Sequence, residues 1–493
     1  MSSRARDREE LEPLVVQPRE TPLPKLQLTI LCLVRLAEPI AYTQVFPYVN
    51  RMMEHLDVTD DPRQIGFYSG LVESVFSFAQ LLFIFQWGRL SDRIGRKPII
   101  LCGLCGSALS TMCFGLSSSL PAALAARITS QLLKLLYRVI QSMLGELTDE
   151  TNQARAFPLL GLCWNLGCII GPLIGGALSE PATGYPAVFG RIQFLKDYPH
   201  VKFSFFLPCA VSCSLTLCSI ILGYFALEEA LETQAASSNT YDAVTAQPLI
   251  APETVHNARP SILSLISDPI VISVVRTYFM LAMSSTAFEV LFVLLSYTAI
   301  AHGGLSRNPL EIGSALALGG LVAVILQPLA YPVLSRRVKL SVLYPSLMAI
   351  YPFLFIMLPF LNVVARNNLA DDSDDKLTPH GSALLWTSIA VILILARTGG
   401  MCSSANMISI KHAAPSQDAL GSTFGVAQTV AAVARGISPA MASSLFAVTL
   451  EHNLLNGWFV WVIMFMVGII SVLAASQVKD GLVERKKAAD RTQ

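Results

Sequence analysis

Arg35, Glu38, Glu73, Arg127, Glu289, Arg397 and Asn406 lie inside long apolar runs of a 493-residue sequence. Ionisable groups held at such depth in apolar surroundings are expensive, so each is a functional candidate by default. The chemistry open to the carboxylates is proton binding and release as their surroundings change. Arg35 and Glu38 stand three residues apart, on one face of a helix, with Pro39 next. They can neutralise each other, or Glu38 can serve as an exchanging carboxylate. Glu73 shares a polar face with Ser69, Ser77 and Gln80 at helical spacing, and Glu289 follows Arg276 and Tyr278. Arg397, Asn406 and Arg435, with Pro439, are polar exceptions further along, for which helix capping or burial is an equal alternative.

The elements that must hold these groups are helices that cross a membrane. Hydrophobic residues make up 53% of the chain and charged residues 14%, against about 25% charged in soluble proteins. A bilayer-spanning helix needs about 20 apolar residues. Runs of that kind occupy roughly residues 26–48, 65–88, 98–118, 121–145, 156–178 and 203–226, then 270–298, 311–334, 341–361, 383–408, 420–448 and 457–476. The expected fold is therefore an all-α polytopic membrane protein, with 12 transmembrane helices in two pseudo-symmetric six-helix bundles. Residues 1–25 form a cytoplasmic N-terminal tail, 26–226 the first bundle, 227–268 a polar cytoplasmic linker, 269–476 the second bundle, and 477–493 a C-terminal tail. Of 35 Lys and Arg, 20 fall in segments on the side of the termini and 8 in the opposite loops. That split places both termini in the cytoplasm.

The ten cysteines all lie in apolar runs and the seven histidines in loops or at helix ends. These placements predict buried small hydrophobes rather than disulfides, a structural metal or a cofactor. A net charge of +1, with most cations in loops and tails, gives no sign of a nucleic-acid partner, and none is expected. The expected partners are the lipid bilayer, a small-molecule substrate and protons, with the chain acting as a monomer. In span 4, Arg127, Gln131, Lys134 and Arg138 form one stripe at helical spacing. Facing lipid would cost at least about 2.5 kcal/mol for each cation. They must turn toward a central cavity, where they would favour an anionic substrate, or the span is assigned wrongly.

Between spans 2 and 3 stands Gly88-Arg89-Leu90-Ser91-Asp92-Arg93-Ile94-Gly95-Arg96-Lys97-Pro98, expected to form a tight turn at the membrane surface. Its pattern resembles the signature loop of major facilitator superfamily transporters. The matching segment between spans 8 and 9 keeps Arg336, Arg337 and Lys339 but lacks the Asp and the glycines. Span 5 carries Gly161, Asn165, Gly167, Gly171, Pro172, Gly175 and Gly176. Glycines every four residues make a smooth face for close helix approach, and Pro172 permits a bend. The Gly-Pro-x-x-Gly-Gly ending resembles the motif of the superfamily's proton-coupled exporters. Glu38-Pro39-Ile40, Phe46-Pro47-Tyr48-Val49, Trp87 and Gly145-Glu146-Leu147-Thr148-Asp149 are similar to a fungal and plant subgroup of zinc-induced facilitator-like transporters and 12-span drug:proton antiporters.

The resemblance implies proton-coupled efflux of a small organic molecule, such as a drug or secondary metabolite, by alternating access. It further implies a conformational latch built from Gly88, Asp92, Arg93, Gly95, Arg96 and Lys97, with Asp92 against the start of span 11 near Gly421. Arg93 and Arg96 would then meet Glu146 and Asp149. Transport of cations or metal chelates, or a non-transporting receptor role, are the alternatives; His256 alone in the linker argues against dedicated zinc binding. A membrane enzyme is not expected. Asp371 to Asp375 sits in a poorly apolar loop, and no histidine lies at cavity depth. The plasma membrane is the expected residence ahead of the vacuolar membrane. If the latch role holds, Asp92→Asn slows flux of every substrate alike while the protein still reaches the membrane; a changed substrate preference in the same flux assay would contradict it.

Overall fold

The computed structural model describes residues 23–94, 96–133, 140, 143–144, 147–148, 152–179, 205–228, 265, 267–370, 376–415 and 419–492. Within those stretches the side chains of residues 83–94, 133, 153–155, 157–158 and 479–492 are left undescribed. Among the described residues, eleven helices are long and apolar enough to cross a bilayer. They are α1 (Lys25–Thr43), α2 (Ile65–Ile94), α3 (Arg96–Gly115), α5 (Gln153–Leu178), α6 (Phe206–Ala226), α7 (Pro269–Tyr297), α8 (Pro309–Arg337), α9 (Leu340–Arg366), α10 (Pro379–Ala413), α11 (Leu420–Glu451) and α12 (Phe459–Thr492). Between α3 and α5, α4 (Leu120–Leu133) is the described part of the twelfth span. The chain is an all-α polytopic protein of two six-helix bundles.

Local sequence sets many helix ends. Asp268 accepts from the backbone N–H of Ile270 at 2.9 Å, with Pro269 as the first helical residue of α7. Asn308 and Glu311 form a reciprocal capping box at the start of α8, and Thr378 accepts from Gly381 N at the start of α10. Each arrangement satisfies N–H groups that the first turn leaves without a partner. α9 is broken at Ala349, between Leu340–Met348 and Ile350–Arg366. Pro352 has no N–H to give the carbonyl of Met348, so the helix ladder lapses there.

Three boundaries differ from the sequence expectation. α1 stops at Thr43, and after a turn through Pro47 the chain resumes as a short helix, Val49–His55. The stretch 88–98 is mostly helical rather than a ten-residue turn: α2 runs to Ile94 and α3 starts at Arg96, leaving position 95 between them. α12 continues as helix through Thr492, well past the apolar run ending near 476.

Because the spans alternate, α1 starts and α12 ends on one face, the termini face, and the Val49–His55 helix lies on the far face. Contact between the bundles concentrates toward the far face. α2 lies on α11: a Cβ at Gly66 would meet Leu294 and Phe446, and one at Gly70 would strike Ser443. Ser74 Oγ accepts from the backbone N–H of Ala440 at 2.8 Å. At the far face Gln64 donates to Glu451 at 3.3 Å, and the Tyr297 hydroxyl donates to Glu54. α5 lies on α8 in the same way, with Gly176 against Pro309 and Leu310, and Gly313 against the Pro172 carbonyl. Toward the termini face, Gly161 of α5, Gly400 of α10, and Gly421 and Gly425 of α11 meet no atom within 4 Å of where a Cβ would stand. The bundles are thus closed at the far face, and among the described residues these glycines nearer the other face meet no neighbouring helix.

Within the first bundle α5 also seats on α1. Gly167 receives the Pro39 ring, Gly171 the Thr43 hydroxyl and Gly175 the Gln44 carbonyl. The Thr43 hydroxyl lies 2.7 Å from the Pro39 carbonyl and 3.0 Å from that of Gly167, so one proton ties two helices. Gly175→Ala places a methyl group on a backbone carbonyl and should destabilise the protein by about 1–3 kcal/mol. Gly161→Ala meets nothing among the described residues and, with the better helix propensity of alanine, should hold or raise the midpoint. Thermal unfolding of both variants in detergent distinguishes the two; equal midpoints would refute the seat.

Candidate membrane-embedded site

Three arginine–carboxylate pairs hold most of the buried charge predicted from sequence. Arg35 and Glu38 bond to each other across one turn of α1, with Arg35 almost fully buried. Glu73 of α2 accepts from Arg127 of α4 at 2.9 Å, and both side chains are buried. Glu289 of α7 faces Arg397 of α10 at 3.4 Å, a looser pair in which 44% of the Glu289 side chain stays exposed. The hydrogen bonds in the three pairs explain how five helices carry full charges at lipid depth.

Arg127 is also flanked by aromatic faces, 5.0 Å from the Phe76 ring centre and 4.8 Å from that of Phe114. The ring quadrupole favours a cation there, and a guanidinium is suited to such stacking. The expectation that Arg127 faces an open cavity is therefore corrected: its charge is neutralised inside the bundle. Lys134 and Arg138 lie outside the described residues. Arg35 has the same kind of neighbour, 5.6 Å from the ring of Trp164 on α5.

The remaining expected partners separate. Arg276 and Tyr278, upstream of Glu289, turn elsewhere: Arg276 donates to Gln477, and the Tyr278 hydroxyl to Gln428 at 3.3 Å. Asn406 is fully buried in the second bundle, where its Oδ1 accepts from the Tyr344 hydroxyl at 2.9 Å. Gly95, Glu146 and Asp149 fall outside the described residues, as do the side chains of Asp92 and Arg93. Gly88 is a helical residue of α2. Arg96 and Lys97 open α3, with the Lys97 ammonium 5.9 Å from the Tyr224 ring on α6.

What sequence reasoning did not single out is an aromatic wall. Tyr42 stacks on Phe76, with ring centres 5.0 Å apart and planes at 26°. It meets Phe46 edge-on at 5.2 Å and Trp164 at 6.0 Å. The signal was present: Arg35, Glu38, Tyr42 and Phe46 recur at three- and four-residue intervals along one face. Tyr42 lies within electrostatic reach of Glu73 and Arg127 of its own bundle, and of Glu289 and Arg435 of the other. It therefore marks where the bundles face each other.

On the far face, Asn50, Glu54, Arg63, Tyr297, Arg307 and Leu450 line part of a cavity of about 360 Å³. Burial opposes ionisation of Glu54, but hydrogen bonds from Tyr297 and Arg51 prevail and hold its carboxyl below the usual carboxylate range. The bond to Tyr297 joins the two bundles.

The arrangement pairs the charges held at depth and brings the two bundles together along faces free of side chains. Residues 31–439 match the Major Facilitator Superfamily family. The chain belongs to that superfamily. It is 35% identical to the major facilitator-type transporter psiT2 of Psilocybe cyanescens, across 93% of this chain and 91% of that one. It is 27% identical to Protein ZINC INDUCED FACILITATOR 1 of Arabidopsis thaliana, covering 92% and 90% of the two chains. Against the efflux pump azaK of Aspergillus niger it is 26% identical, covering 94% and 89%. In fold it is similar to the human organic anion transporter MFSD10, with a TM-score of 0.54 at 16% identity over 92% of this chain and 100% of that one. This superfamily member is thus an integral, multi-pass membrane transporter.

Removing one partner of a buried pair leaves the other charge uncompensated, at about 3–5 kcal/mol. Glu73→Gln should lower thermal stability by that order, and Glu73→Gln combined with Arg127→Met should recover most of it. A double variant no more stable than the single would show that Arg127 does not depend on Glu73.

Proposed function

We propose that the protein exports a small organic molecule in exchange for protons, alternating access between its two bundles. The observation that carries this reading is the seat of the Gly167–Gly176 face. One edge of it receives α1 beside the Arg35–Glu38 pair, and the other receives α8 of the second bundle. Pro39, adjacent to Glu38, fills the space that Gly167 leaves. A change in the protonation of Glu38 would alter the Arg35 pair next to the helix on which the bundles meet. An exchanging proton is thereby placed to bias the helix contact that must change. The efflux pump among the relatives supports the direction of transport.

In this reading the two bundles, 26–226 and 269–476, rock about the buried pairs, while the linker at 227–268 and both tails stay in the cytoplasm. The far face is then the outer one, and the arrangement described is closed outward. The Asp92 segment latches the inner face when the bundles reverse. The chain works as a monomer in the plasma membrane.

Purified protein in sealed vesicles, with pH set independently on each side, tests the coupling. Substrate flux should follow the imposed proton gradient. Glu38→Gln should abolish that dependence, while downhill flux without a gradient falls less than tenfold. Flux indifferent to the gradient in the unaltered protein would overturn proton exchange; unchanged gradient dependence in the variant would remove Glu38 from it.

A further inference from the structure

We infer that the substrate carries both an aromatic ring and an anionic group, the ring taken by the Tyr42–Phe46–Phe76–Trp164 wall and the anion by Arg435. The inference rests on the transport reading above and supplies its substrate class. Its first support is charge balance. Arg35 is matched by Glu38, Arg127 by Glu73 and Arg397 by Glu289. Arg435, half-buried 15 residues into α11, makes no hydrogen bond or ion pair among the described residues. A cation held midway along a spanning helix without a counter-ion is unfavourable until an anion arrives.

The second support is placement. Arg435 lies within electrostatic reach of Tyr42, as do Glu73, Arg127 and Glu289, so the cation and the aromatic wall stand near one another where the bundles meet. That wall offers accessible surface: Tyr42 and Phe46 are half-buried and Trp164 is 37% exposed. Aromatic rings bury large area and prefer offset or edge-on partners, a geometry already set by the 26° and 86° planes around Tyr42. Access is available as well. Gly161 stands one turn from Trp164 and Gly400 one turn from Arg397, and both meet open space. A helix face bearing Arg397 does not face hydrocarbon, so that space belongs to the route between the bundles.

Two features of the charged groups favour an anion over a cation. Glu289, the most exposed of the three carboxylates, already faces Arg397, so a cationic ligand would have to displace it. Among the described residues Arg435 has no partner to displace. Its planar fork also suits a carboxylate or phosphate, which can accept two parallel N–H bonds.

Equilibrium binding to the full-length protein in lipid nanodiscs tests the assignment, with empty nanodiscs subtracted. The probes are 1-naphthylacetate, 1-naphthylmethylammonium and cyclohexylacetate. The naphthyl anion should bind at least tenfold more tightly than either of the others. Arg435→Gln should weaken it at least tenfold, and Arg435→Lys should restore part of the loss. Trp164→Ala should weaken both naphthyl probes and leave cyclohexylacetate unchanged. Preference for the naphthyl cation, equal binding of all three, no binding of any, or an unaffected Arg435→Gln variant would each overturn the proposal. Binding as expected, combined with gradient-independent flux in vesicles, would sink proton exchange and leave this substrate class standing.

Discussion

A charge inside a hydrocarbon layer must find its opposite within the protein, and that requirement organises this structure. Arg127 and Glu73 meet between α4 and α2, with Phe76 and Phe114 against the guanidinium. The pairing ties α2 to α4 where hydrophobic burial cannot, because lipid is as apolar as the side chains that would pack. Arg35–Glu38 and Glu289–Arg397 follow the same rule at different closeness. The Arg127–Glu73 pair joins two helices in full burial, Arg35–Glu38 closes across one turn of a single helix, and Glu289–Arg397 is the looser and more exposed of the three.

Where charge is absent, small residues do the joining. α5 presents Gly167, Gly171 and Gly175 to α1 and Gly176 to α8, so one helix serves as a partner inside its bundle and across to the other. Contacts made backbone to backbone lack interlocking side chains, which lets them slide or part with little rearrangement. Contacts within the first bundle involve the Pro39 ring and the shared Thr43 proton, and are more interlocked. The difference suits a bundle that moves as a body against its neighbour.

The far-face closure adds polar contacts to this apolar seam: Gln64 to Glu451 and Tyr297 to Glu54. Each joins one bundle to the other. Polar contacts at the water boundary can be exchanged for water at small net free energy. A closure made that way can open again, which an extensive interlocked core could not do.

The sequence by itself determined that the chain crosses a membrane about twelve times in two halves, because uncharged runs of bilayer length admit no other structure. It also marked the loop signature, the glycine face of α5 and six of the charged residues at depth, since each departs from an apolar background. Tertiary structure alone decided their partners. Nothing in the spacing says that Glu73 belongs with Arg127, 54 residues away, or that Glu289 turns from Arg276 to Arg397, because these pairings depend on how helices lie beside one another. Helix extent near residues 88–98 was likewise misjudged: hydropathy ends where the membrane ends, whereas a helix ends only where its hydrogen-bond ladder does. The aromatic wall around Tyr42 emerged last, since a ring becomes conspicuous only when its neighbours from other helices are in place.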